Sequence, residues 1–91
     1  MEARAHLLIG GLVQGVLFRK RIMELARSKS INGWVRNLHD GRVEAVAEGE
    51  KDNIDALIQF CKVGPPGAKV RSVDIEWSEF KSEFRGFKIL H

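Results

Sequence analysis

The feature of this sequence that most constrains its fold is the order in which strand patterns and helix patterns alternate along 91 residues. The apolar run His6–Leu12 is typical of a buried strand. From about Arg19–Lys29 the apolar side chains recur at the spacing of one helical face. Ile31–Asn37 and Arg42–Glu48 again have the pattern of strands. The first half of the chain therefore predicts strand, helix, strand, strand.

The second half adds a helix and a strand. Apolar residues within Ile54–Cys61 have helical spacing, and Asp52 is the expected N-cap. Gly64–Gly67 contains both prolines of the chain and ends this helix. Val70–Trp77 alternates in the manner of a fourth strand, and Phe87–Leu90 predicts a short final one.

One tight turn joins the two central strands. Asp40 and Gly41 lie between them, and an Asp-Gly pair in that position favours a β-hairpin. The order becomes β-α-β-β-α-β with a short extra C-terminal strand. We predict an α+β fold, the ferredoxin-like α/β sandwich, with two helices covering one face of a mainly antiparallel sheet. Residues 1–91 are expected to form a single domain.

Length, cysteine usage and charge exclude several classes of protein. A Rossmann dehydrogenase, a kinase or a TIM barrel does not fit in 91 residues. No apolar run approaches the roughly 18 residues of a membrane span, and a secretory signal is not expected. Cys61 is the single cysteine, which excludes an intrachain disulfide and favours a cytoplasmic protein. The net charge of +3 favours an anionic ligand but is too small to indicate nucleic acid.

Two segments carry residues suited to chemistry. In Gly11–Arg19, between strand and helix, free backbone N–H groups can converge on an anion. Gly15 permits a tight turn there, and Arg19 offers a planar donor fork for phosphate oxygens. Asn37 ends a strand and could hold a water molecule. Taken alone, the first segment also fits an ordinary strand–helix turn, and Asn37 also fits an Asx-type turn. Each of these is the commoner case.

Together, the two segments resemble the acylphosphatase family. The first reads Gly-x-Val-Gln-Gly-Val-x-Phe-Arg and ends at Arg19. The second reads Gly-Trp-Val-x-Asn-x-x-Asp-Gly-x-Val-Glu and begins at Gly33. Residues 64–70 and 87–89 agree as well, so the resemblance covers nearly the whole chain.

This resemblance implies an enzyme that hydrolyses the carboxyl–phosphate bond of acyl phosphates by metal-independent, in-line attack of water. It implies no cofactor and no covalent phosphoenzyme. Arg19 matches the arginine that binds the phosphoryl group, and Asn37 matches the asparagine that positions the water. The phosphate cradle, whose backbone amides surround the anion, matches Gln14, Gly15, Val16, Leu17 and Phe18. The expected partner is a small acyl phosphate, with inorganic phosphate or another anion in the loop, on a monomer that binds neither nucleic acid nor membrane.

Two other functions are compatible with a small basic α+β domain. A basic ferredoxin-like domain could bind RNA, but the chain lacks the aromatic strand motif of an RNA-recognition domain. An accessory domain of a hydrogenase-maturation carbamoyltransferase would continue into cysteine-rich zinc motifs, which are not expected here. His39 is expected to be solvated in its turn, and Lys20 and Arg21 to be a solvated first helical turn. Cys61 is expected in the core.

Overall fold

The computed structural model describes residues 1–91 and contains five strands and two helices. The elements are β1 (Glu2–Leu12), α1 (Phe18–Ser28), β2 (Asn32–Asn37), β3 (Val43–Glu50), α2 (Lys51–Val63), β4 (Lys69–Ser78) and β5 (Phe87–Ile89). The predicted order and the ferredoxin-like fold are confirmed. The predicted N-cap of the second helix is wrong, because Glu50 occupies that position and Asp52 lies in the first turn.

The sheet has the strand order β4-β1-β3-β2-β5. Three of its pairings are antiparallel, and β5 pairs with β2 in parallel. The first strand begins at Glu2, four residues before the predicted start, because it pairs with the full length of β3 up to Glu50. At Gly33, where φ is 147°, a Cβ would lie 1.9 Å from the Val46 carbonyl oxygen, so only glycine permits this approach of β2 to β3.

Both helices pack on one face of the sheet. The buried side chains of α1 and α2 are Phe18, Ile22, Ala26, Ile54, Leu57, Ile58 and Cys61. They meet alternate residues of the central strands, such as Leu7 and Ala45, because successive side chains of a strand point to opposite faces. Burial raises the pKa of the Cys61 thiol to about 12. Neither helix is long and apolar enough to cross a membrane.

A buried carboxylate organises the opposite face of the sheet. Glu48 on β3 is fully buried and accepts hydrogen bonds from the backbone N–H groups of Lys81 and Glu83, at 2.7 and 2.9 Å. Arg4 on β1 reaches the same carboxylate at 3.4 Å and Glu83 at 2.6 Å. These contacts fix the segment 79–86, which connects β4 to β5, and so determine where β5 joins the sheet.

We expect Glu48→Gln to lower the free energy of unfolding by about 2 kcal/mol, because an amide donor then faces a backbone N–H donor. Urea unfolding followed by circular dichroism measures this change. Glu76→Gln is the matched control, since Glu76 is an exposed carboxylate on the same sheet face that makes no hydrogen bond. Equal stability of the Glu48 and Glu76 variants would contradict the stabilising role of the buried Glu48 carboxylate.

The same carboxylate makes stability depend on pH. Burial alone would raise the pKa of Glu48, but the two amides and Arg4 outweigh it and lower the pKa below its ordinary value of 4.5. A carboxyl with a lowered pKa contributes stability that is complete above its ordinary pKa and is lost as pH falls through the folded-state value. The free energy of unfolding should therefore fall on acidification below about pH 4.5, and fall less in Glu48→Gln.

Candidate active site

The loop between β1 and α1 exposes unpaired backbone donors. The N–H groups of Gly15, Val16 and Leu17 donate to no carbonyl or side chain of the protein. Two of these residues have left-handed backbones, with φ of 76° at Gly15 and 62° at Leu17. The helical hydrogen-bond ladder starts only at the Arg21 N–H, which donates to the Leu17 carbonyl at 3.0 Å. The loop therefore presents a run of N–H groups at the positive end of a helix.

The start of α1 breaks three local rules for a stable helix. Its N-cap is Leu17, which supplies no side-chain hydrogen bond to the free N–H groups. Leucine in the left-handed region costs about 1–2 kcal/mol. The first turn holds no acidic residue but three cations, Arg19, Lys20 and Arg21, where the helix dipole favours anions. A bound anion would accept hydrogen bonds from the free N–H groups and offset the charges of Arg19 and Lys20, which line the pocket.

Arg19 and Asn37 share a pocket of about 230 Å³ beside this helix end. Its lining residues are Val13, Gly15, Leu17, Phe18, Arg19, Lys20, Asn37, Ile89 and His91. Neither Arg19 nor Lys20 has an ion-pair partner. No Asp or Glu side chain lines the pocket.

Asn37 contributes an unused acceptor to the pocket. It is the last residue of β2, before the turn that the Leu38 N–H closes by donating to the Arg42 carbonyl at 2.8 Å. Its Oδ1 is the single buried side-chain polar atom of the protein without a hydrogen-bond partner. This buried acceptor is therefore free to accept a hydrogen bond from a water molecule or from a ligand.

The predicted cradle residues differ in what they present to the pocket. Gly15, Leu17 and Phe18 line it, whereas Gln14 and Val16 do not. Val16 packs against the hydrophobic core. The Gln14 amide donates to the carbonyls of Leu38 and Arg42, at 2.8 and 3.0 Å, and so ties the loop to the β2–β3 turn. Only the backbone of Gln14 and Val16 could therefore belong to an anion cradle.

Four pocket residues were not predicted as site residues. Lys20 was expected to be an ordinary solvated cation, and its place next to Arg19 was the signal that could have identified it. Val13 precedes the predicted cradle. Ile89 and His91 reach the pocket through the parallel pairing of β5 with β2, which no sequence pattern indicated. His39, in contrast, is exposed in its turn and lies outside the pocket, as expected.

Two ion pairs lie close in sequence to the site residues but outside the pocket. Asp40 accepts hydrogen bonds from the backbone N–H of Arg42 at 3.1 Å and from its Nε at 2.8 Å. The first of these bonds is the main cause that lowers the pKa of Asp40. Arg21 pairs with Glu24 at 3.0 Å. No group of three or more His, Cys, Asp or Glu side chains lies close enough together to hold a metal ion.

Comparison with known proteins points to one family. A family profile described as acylphosphatase matches residues 5–89. An acylphosphatase of Pyrobaculum islandicum is 53% identical over 98% of this chain and 95% of its own length. The crystal structure of an acylphosphatase from Bacillus subtilis is 32% identical, with a TM-score of 0.93 over 100% of both chains. The structure of an acylphosphatase from Coxiella burnetii is 37% identical, with a TM-score of 0.92 over 98% of this chain and 93% of that one.

The two hydrogen bonds from the Gln14 amide to the β2–β3 turn can be tested by Gln14→Ala. Both bonds are exposed, so we expect a loss of about 1 kcal/mol in the free energy of unfolding. Binding of inorganic phosphate, measured by calorimetry, should weaken because the loop no longer holds its position beside Asn37. Gln59→Ala on the exposed side of α2 makes the same truncation without such contacts. Equal behaviour of the two variants would contradict the role of Gln14.

Proposed function

Because this chain belongs to the acylphosphatase family and hydrolyses the carboxyl–phosphate bond of acyl phosphates, we propose that Arg19 and Asn37 carry this reaction without a metal ion. One observation carries the proposal. An unpaired guanidinium, a run of free backbone N–H groups and a buried acceptor without a partner lie around a single pocket. Each matches a different need of phosphoryl transfer to water.

Binding of the phosphoryl group is the task of Arg19 and the loop. The guanidinium donates to phosphate oxygens in a planar fork, and the N–H groups of Gly15–Lys20 point their positive ends at the same anion. Phosphoryl transfer passes through a loose transition state with charge spread over three equatorial oxygens, so catalysis is mostly positioning and charge stabilisation. These donors are held in place before the substrate arrives, which makes them effective.

Asn37 orients the attacking water. Its amide is neutral and cannot remove a proton, but its unpaired Oδ1 can accept a hydrogen bond from a water molecule. That bond aims a lone pair of the water oxygen at phosphorus, in line with the bond that breaks. Asn37 stands at the end of β2, where the turn and the Gln14 contacts hold it rigid.

The chemistry of the leaving group explains why two such residues suffice. The water oxygen forms a bond to phosphorus while the bond between phosphorus and the carboxyl oxygen breaks, and its electron pair leaves with the carboxylate. The conjugate acid of that carboxylate has a pKa of about 4, so it departs without a proton and needs no general acid. The water proton ends on the product phosphate or in solvent. Arg19 and the N–H groups supply the charge stabilisation that magnesium supplies in kinases.

The same proposal covers the product complex, the domain organisation and the cellular location. Inorganic phosphate, as product, occupies the loop that held the phosphoryl group. The whole chain, residues 1–91, acts as one acylphosphatase domain, which the single core beneath both helices supports. A monomer is the state in which we propose that it acts. A cytoplasmic location is supported by Cys61, a buried thiol that is left unpaired.

We expect Arg19→Ala and Asn37→Ala to abolish most of the hydrolysis of benzoyl phosphate, measured with EDTA present. Asn37→Ala removes the acceptor that orients the water, and a nucleophile no longer held in line costs about 10² in kcat. Arg19→Ala should lose more, because it removes a charge as well as a donor.

Arg21→Ala is the matched control for these variants. Arg21 lies in the same helical turn but pairs with Glu24 and is not part of the pocket, so wild-type kcat is expected. Circular dichroism checks that all variants are folded. No turnover by the folded wild type in EDTA, or full activity of Asn37→Ala, would contradict the proposed mechanism.

A further inference from the structure

Leu17 is an unfavourable residue for its position. Its backbone has φ of 62° and ψ of 20°, where glycine and asparagine are favoured over leucine. It is also the N-cap of α1, a position at which leucine is among the poorest choices. Local rules are broken in this way mainly at functional sites, so the leucine side chain needs a reason beyond folding.

Packing does not supply that reason. The Leu17 side chain is 61% exposed and is not part of the hydrophobic core. It lies instead on the rim of the pocket that holds Arg19. Of the other apolar residues there, Val13 and Phe18 are 1% exposed and belong to the core. Leu17 and the half-buried Ile89 therefore provide the apolar surface that a ligand can reach.

We infer that Leu17 contacts the acyl group of the substrate and favours acyl phosphates with a large apolar acyl group over acetyl phosphate. This inference rests on the proposed function, because it needs the phosphoryl group to be held by Arg19 and the loop. With that group bound, the acyl part projects from the shallow pocket toward its rim. An aromatic ring there removes apolar surface of Leu17 from water, whereas a methyl group removes little.

The test compares kcat/KM for benzoyl phosphate and acetyl phosphate in the wild type and in Leu17→Ala. We expect the ratio of benzoyl to acetyl values to fall about fivefold, mainly through KM for benzoyl phosphate. Any damage to the phosphate-binding loop lowers both values and cancels in the ratio. Leu17→Met keeps an apolar side chain of similar length and should restore most of the ratio.

Two further variants make the result decisive. Leu12→Ala removes an equally large apolar side chain, 58% exposed, at the end of β1 and outside the pocket, and should leave the ratio at the wild-type value. Leu17→Gly accepts the left-handed backbone without strain, so it gives the same truncation should Leu17→Ala fail to fold. An unchanged ratio in the folded Leu17 variants overturns the inference. A folded wild type that hydrolyses neither substrate overturns the proposed function instead.

Discussion

The site depends on the electrostatics of an uncapped helix N-terminus. α1 begins after a leucine that cannot cap it, and its first turn carries three cations and no acid. Each feature is unfavourable for an isolated helix, and together they leave free N–H groups and the charges of Arg19 and Lys20 at the same pocket. The helix is held by its apolar face, where Phe18, Ile22 and Ala26 are buried against the sheet. Core packing thus stabilises a helix start that the local interactions at the N-terminus of α1 oppose.

The rest of the fold brings partners to that helix end. The Gln14 amide joins the loop to the β2–β3 turn, which holds Asn37 opposite the free N–H groups. On the far face, Glu48 fixes the segment 79–86 and thereby the parallel strand β5. That strand closes the pocket with Ile89. The buried carboxylate and the glutamine tie therefore connect the stability of the sheet to the geometry of the site.

The sequence predicted the fold well because its signals were local. Apolar spacing and the Asp40–Gly41 turn identify elements within a few residues of their true bounds, although Glu50 and not the predicted Asp52 is the N-cap of α2. The resemblance to acylphosphatases singled out Arg19 and Asn37, which the fold brings into one pocket. The left-handed backbone of Leu17, the parallel pairing of β5 and the unpaired Asn37 Oδ1 depend on tertiary contacts, so no local pattern predicted them.

The central claim is that the N–H groups at the start of α1, together with Arg19, hold the phosphoryl group beside Asn37. A titration of the ¹⁵N-labelled protein with inorganic phosphate, followed by amide proton–nitrogen correlation spectra, tests it most directly. We predict saturable shifts confined to the backbone amides of residues 15–20, the Arg19 Nε–H and the Asn37 side chain. No saturable shift, or shifts centred on the sheet face opposite the helices, would contradict the account.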